Sequence, residues 1–171
     1  MRIAPAVTPI PFSPALPTVA RPAAPLPTAP TWLTPPPIVD FPGVQVGATY
    51  AIGSGSKVGP IGVRGDALIR RWEPDHAVFH VKAGRFGFSI DVDVDIVRVD
   101  DTTVRISSTG HGIPDMSELG RVVESRENYA SFEQVSDPSR RTIIARDGAG
   151  HVTIDTVVPT LGEAHLELDP R

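Results

Sequence analysis

Phe86-Gly87-Phe88-Ser89-Ile90-Asp91-Val92-Asp93-Val94-Asp95-Ile96 sets six apolar residues in strict alternation with Gly87, Ser89 and three aspartates. Side chains on an extended strand alternate between its two faces. The pattern therefore predicts one long strand, with Phe86, Phe88, Ile90, Val92, Val94 and Ile96 on a dry face and the carboxylates on a wet one. One dry face and one wet face is the arrangement of an antiparallel sheet, since parallel strands are covered on both sides. The three carboxylates stand about 7 Å apart along their face, and they read as a solvent surface that keeps a long hydrophobic strand soluble.

The same period recurs on either side. Val44, Val46, Ala48, Tyr50 and Ile52 form a first alternating run ahead of a Gly- and Ser-rich turn over 53–59. Ile61, Val63, Gly65, Ala67 and Ile69 mark a second strand. Glu73-Pro74-Asp75 then turns into a third, with Ala77, Phe79 and Val81 on one face. Gly84 separates that strand from the long one, and Asp100-Asp101 turns the chain back into Val104 and Ile106. Further strands are predicted over 129–135, 142–146, 152–158 and 164–168, with turns at Asp137-Pro138 and Asp147-Gly148. A single helix interrupts the series. Asp115 and Glu118 have the spacing of a capping box, and Met116, Leu119, Val122 and Val123 recur at helical spacing up to Asn128.

Nine sequential antiparallel strands do not remain an open flat sheet, because exposed edges template aggregation. The expected fold is all-β: a cupped or closed up-and-down β-meander or barrel of about nine strands with one short helix. That architecture is similar to lipocalin-like carriers and to the cupped sheets of START-like domains, although the chain holds no motif of either. A START-like domain would also close on a long C-terminal helix, where this chain closes on a strand.

Composition divides the chain. Thirteen of its nineteen prolines fall within residues 1–42, all fifteen glycines lie at Gly43 or beyond, and only Arg2, Arg21 and Asp40 are charged before that point. Residues 1–42 are accordingly read as a disordered Pro/Ala-rich leader or linker and 43–171 as the β domain. Pro5, Pro9, Pro11, Pro14 and Pro17 break every candidate for the apolar core of a secretory signal, which needs about 7 to 15 residues. No run approaches the roughly 18 apolar residues of a membrane-spanning helix. The expected location is cytoplasmic or reached by non-Sec export. The leader's PxxP elements, Pro22 to Pro25 and Pro27 to Pro30, suit an aromatic groove on a protein partner. Trp32, Leu33 and Ile38 are placed to anchor the leader's end onto the domain.

Several chemistries are excluded or unsupported. With no cysteine there is no disulfide, thiolate metal site or cysteine nucleophile. Beyond residue 42 the chain carries 14 basic and 19 acidic residues, a balance that repels a phosphate backbone, so no nucleic-acid partner is expected. Asp91, Asp93 and Asp95 lack the glycine and glutamate of a calcium loop, with Ile96 and Thr102 at those positions, so no metal is assigned. Gly53 to Lys57 lacks the Gly-Lys-Ser/Thr ending of a phosphate loop, no Gly-x-Ser-x-Gly elbow is present, and no cofactor is expected.

The long apolar faces are built of Val, Ile and Phe with few large aromatics, and nine strands enclose more space than such side chains fill. The expected function is non-enzymatic binding of an apolar small molecule or lipid in that interior. Its expected contacts are Phe79, Phe86, Phe88, Tyr129, Phe132 and His111, with Trp72 or the expected helix over 115–126 near a mouth. Two alternatives stand beside it. One is a cyclase- or isomerase-type enzyme using the same cavity with His111 or His80 as base, which requires a histidine facing the cavity beside a carboxylate. The other is an interaction module acting through the leader or a sheet edge.

Overall fold

The computed structural model describes residues 37–171; the PxxP elements, Trp32 and Leu33 lie outside the described residues. Twelve strands follow in chain order: β1 (Thr49–Ile52), β2 (Lys57–Val58), β3 (Ile61–Gly62), β4 (Arg64–Glu73), β5 (His76–Arg85), β6 (Phe88–Arg98), β7 (Thr103–His111), β8 (Met116–Arg126), β9 (Tyr129–Gln134), β10 (Arg141–Arg146), β11 (Val152–Val158) and β12 (Gly162–Pro170). Neighbours pair antiparallel, and β1 joins both β4 and β12, so β1 with β4 to β12 closes a ten-stranded barrel. The short β2 and β3 extend along β12 beyond β1.

The inward face is apolar in step with the alternation. Ala77, Phe79, Val81 and Ala83 of β5 are buried, as are Ile90, Val92 and Ile96 of β6. The outward face of β6 carries its three aspartates against basic groups of β4 and β5. Arg70 Nη1 donates to Asp93 Oδ2 at 2.7 Å. His80 meets Asp93 at 3.0 Å and Asp91 at 3.4 Å, and His76 meets Asp95 at 3.0 Å. Arg70 reaches across β5 because it is an extra residue between Ile69 and Arg71, where the β4–β5 register shifts. Among the described residues no three metal-ligating side chains converge; the aspartates are spent on cross-strand pairs.

The expected helix is strand β8, and among the described residues there is no helix. Met116, Glu118, Gly120 and Val122 share one face of β8, alternating with Ser117, Leu119, Arg121 and Val123, which are exposed. Val123 is the additional residue of a bulge where the β8–β9 register shifts, so Val122 and Val123 stand together without a helix. Asp115 caps no helix; its carboxylate accepts from the Gly110 N–H at 3.2 Å. Pairing with β7 and β9 along the strand outweighed a helical spacing that rested on four residues.

The alternating run around β6 begins at Phe88 rather than Phe86. Phe86 and Gly87 form the two-residue connection of the β5–β6 hairpin, with φ of 50° and 84°. Positive φ at both central positions is what a tight hairpin with the right-handed strand twist requires. Gly84, expected to mark that turn, lies inside β5.

Residues 37–44 strap one end of the barrel. The Ile38 N–H donates to the Pro74 carbonyl at 2.8 Å, and the Asn128 N–H to the Asp40 carbonyl at 2.7 Å. Ser125 Oγ donates to the Pro37 carbonyl at 2.7 Å. Ile38, Val39 and Phe41 are buried. Phe41, Trp72 and Phe79 form an aromatic stack, with ring centroids 5.7 and 5.8 Å apart. The compositional break at Gly43 falls within this strap, so the packing of the β domain reaches back at least to Pro37.

Candidate interior site

Ten strands enclose a wider interior than the eight that side chains just fill. Beyond the Phe41–Trp72–Phe79 stack, toward the end that holds the β7–β8 loop, the barrel contains a cavity of about 100 Å³. Its wall is formed by Phe79 and Val81 of β5, Ile90 to Ile96 on the inner parity of β6, Ile113 and Met116 around the β7–β8 loop, and Ile144, Ile154 and Leu166 on the opposite side. Among the described residues only Ser108, Thr142 and Thr156 bring polar side chains to the wall, and no charged side chain reaches it.

The three hydroxyls differ in how they are satisfied. Thr142 and Thr156 bond to each other, Oγ1 to Oγ1, at 2.8 Å. Ser108 is buried, and its Oγ has no hydrogen-bond partner among the described residues. A second, smaller space of about 30 Å³ adjoins the main one, with Ile106, Met116, Thr142 and Thr156 common to both walls. Gln134 lines this smaller space, and its Oε1 is likewise without a partner.

The β10–β11 ladder runs from Arg146–Val152 to Ile143–Asp155 and no farther. Thr142 and Thr156 stand just past that last pair, and Thr156 borders an external groove shared with Arg141, Asp155 and His165 as well as the interior. The mutual hydrogen bond of the two threonines thus closes the seam where the strands part.

The six aromatic and histidine residues expected to form the site are dispersed. Phe79 lies on the cavity wall. Phe132 is buried and borders the smaller space, packed over Gly120. Phe88 is half-buried at the rim beside Pro60 and Ile61, and Phe86 is 91% exposed at the hairpin tip beneath the Arg85 guanidinium. Tyr129 stacks under the Arg126 guanidinium at 4.5 Å. His111 is exposed and stands opposite Asp91 across the β6–β7 ladder. His80 is on β5 between Phe79 and Val81, which line the cavity, so its own side chain faces outward to Asp91 and Asp93.

The two histidines with shifted acidity are also external. A hydrogen bond from His165 to Asp155 at 2.6 Å holds its imidazolium, raising its pKa above 6.5 against the opposing effect of partial burial. His151 is raised in the same way by Asp147, whose own carboxyl is lowered by that bond. Ser108, Thr142 and Thr156 were not anticipated, yet each occupies an inward position in its strand's alternation: Ser108 after Val104 and Ile106, Thr142 before Ile144, Thr156 after Ile154.

No family model matches the chain, and neither a curated protein nor a solved structure matches it. Among the described residues no helix is long and apolar enough to cross a membrane.

Proposed function

We propose that the barrel binds a compact apolar molecule in its interior, without transforming it. The observation that carries this reading is the cavity of about 100 Å³ walled almost wholly by Val, Ile, Leu, Met and Phe side chains. Apolar space of this kind stays dry and takes apolar guests; a cavity of about 150 Å³ accommodates benzene. By that scale the guest here has about four non-hydrogen atoms. A long acyl chain requires the wall to open, and Met116 and Ile113 at the loop end are the side chains that would have to move.

Binding is favoured over turnover because, among the described residues, neither a histidine nor a carboxylate stands on the wall, and acid–base chemistry needs a titratable group within hydrogen-bond reach of the reacting atom. Small guests have a ceiling near 1.5 kcal/mol per non-hydrogen atom, which puts the expected Kd at about 0.04 mM or weaker for four atoms.

Native mass spectrometry of the purified chain, followed by organic extraction and titration with volatile apolar probes, tests the reading. A saturable one-to-one complex supports it. A chain that carries nothing and binds none of the probes overturns it.

A further inference from the structure

We infer that the molecule bound in this cavity is neutral and carries one oxygen, which hydrogen-bonds to Ser108. The inference rests on the interior-binding reading above and adds the chemical class of the ligand.

Ser108 belongs to β7, where Val104 and Ile106 precede it on the inward face and Val94 of β6 stands opposite. Its residue surface is 3% exposed, and its Oγ is without a partner among the described residues. A buried hydroxyl left unpaired is unfavourable, and alanine would fill the same place without that penalty. A hydroxyl held against an apolar space therefore points to a guest that completes its bonding. Thr142 and Thr156 already share one hydrogen bond, which leaves Ser108 as the wall hydroxyl with no bond at all among the described residues. A water is a poor occupant beside Ser108, because a buried water needs two to four polar partners.

The same accounting limits the ligand's charge and polarity. Among the described residues no charged side chain lines the wall, so an ionised group would lose its hydration uncompensated. A second oxygen held away from the three hydroxyls would meet only apolar side chains. What fits is a compact ether, ketone or alcohol: a hydrocarbon frame with a single oxygen.

Tetrahydrofuran and cyclopentane test this, being rings of the same shape that differ by one acceptor oxygen. Each is titrated by methyl NMR into the full-length chain and into its Ser108→Ala variant. In the wild-type chain tetrahydrofuran should bind about tenfold better, relative to cyclopentane, than the water-to-alkane partition of the two predicts. Ser108→Ala should remove that advantage while leaving the cyclopentane affinity within about twofold.

If cyclopentane binds but the ratio follows partition, or is unchanged in the variant, the oxygen assignment is wrong while the cavity reading stands. If neither ring binds the interior, the cavity reading fails and the oxygen assignment falls with it. The wild-type ratio alone decides the matter should the variant fold poorly.

Discussion

Thr142 and Thr156 share a 2.8 Å hydrogen bond immediately past Ile143–Asp155, the last residue pair of the β10–β11 ladder. Side chains there continue a closure that the backbone has stopped making. Replacing either threonine by valine strands the other hydroxyl, whereas replacing both removes the demand along with the bond. Each single substitution should cost about 1 kcal/mol, and the double variant should cost less than the two singles together. Urea unfolding of the four proteins in a double-mutant cycle measures the coupling. The double variant should also exchange cavity ligands faster, since the seam loses the hydrogen bond between these two side chains.

Two glycines with similar backbone angles should differ widely in their tolerance of alanine. Gly87 has φ of 84° at the β5–β6 hairpin tip, and an added Cβ meets nothing within 4 Å. Gly112 has φ of 92°, and its Cβ would lie 1.9 Å from the Ser89 carbonyl oxygen. Gly87→Ala carries only the left-handed penalty of about 1 to 2 kcal/mol. Gly112→Ala adds a collision with the β6 backbone and should cost roughly 3 to 5 kcal/mol. Thermal unfolding of the two variants separates the effects.

Phe86 and Phe132 give a second contrast. Phe132 is 1% exposed and fills the interior over Gly120, so Phe132→Ala should cost about 3 to 5 kcal/mol. Phe86 is 91% exposed, and Phe86→Ser should leave both stability and cavity binding unchanged within about 0.5 kcal/mol. A loss of ligand affinity in Phe86→Ser would place the site at the hairpin tip instead of inside the barrel.

His165 makes stability depend on pH. It stands on β12 against Asp155 of β11 and Glu167 of its own strand, with Lys57 of β2 as its ladder partner. Its folded pKa is raised above the unfolded 6.5, first by the Asp155 hydrogen bond. The folded state therefore holds the proton more tightly than the unfolded chain. The resulting stabilisation is complete below 6.5 and is lost as pH rises through the folded value. Because the pair is partly exposed, solvent screening limits it to about 0.5 kcal/mol. Urea midpoints at about pH 6 and about pH 8.5 should differ more in the wild-type chain than in His165→Gln, with His151 supplying a like-signed remainder.

Strand periodicity made the barrel's inner wall legible. Ala77, Phe79, Val81, Ile90, Val92 and Ile96 are buried on the faces that alternation assigned to them. The strand-for-helix error at 116–126 had a topological warning. A meander of nine strands brings its first and last strands together parallel, whereas an antiparallel seam such as β1–β12 needs an even number. Reading residues 116–126 as a strand supplies the tenth.

The proposed interior site is less legible in the sequence, because aromatic and titratable residues serve equally well on an outer surface, which is where Phe86, His80 and His111 stand. What marks the cavity wall is a weaker signal: a small hydroxyl side chain at an inward position of an otherwise apolar face, as at Ser108, Thr142 and Thr156. Whether such a hydroxyl is paired depends on residues distant in the chain, and one strand's alternation does not contain that information.

A methyl NMR titration of the full-length chain under xenon pressure tests the central claim most directly, since xenon enters dry apolar cavities of this kind without needing a polar partner. Saturable shifts are expected at Val94, Ile96, Ile113, Ile144 and Leu166 around the cavity, with the exposed Val99, Val123 and Val135 unmoved. Shifts that never saturate, or that appear at the outward methyls while the interior stays silent, would contradict it.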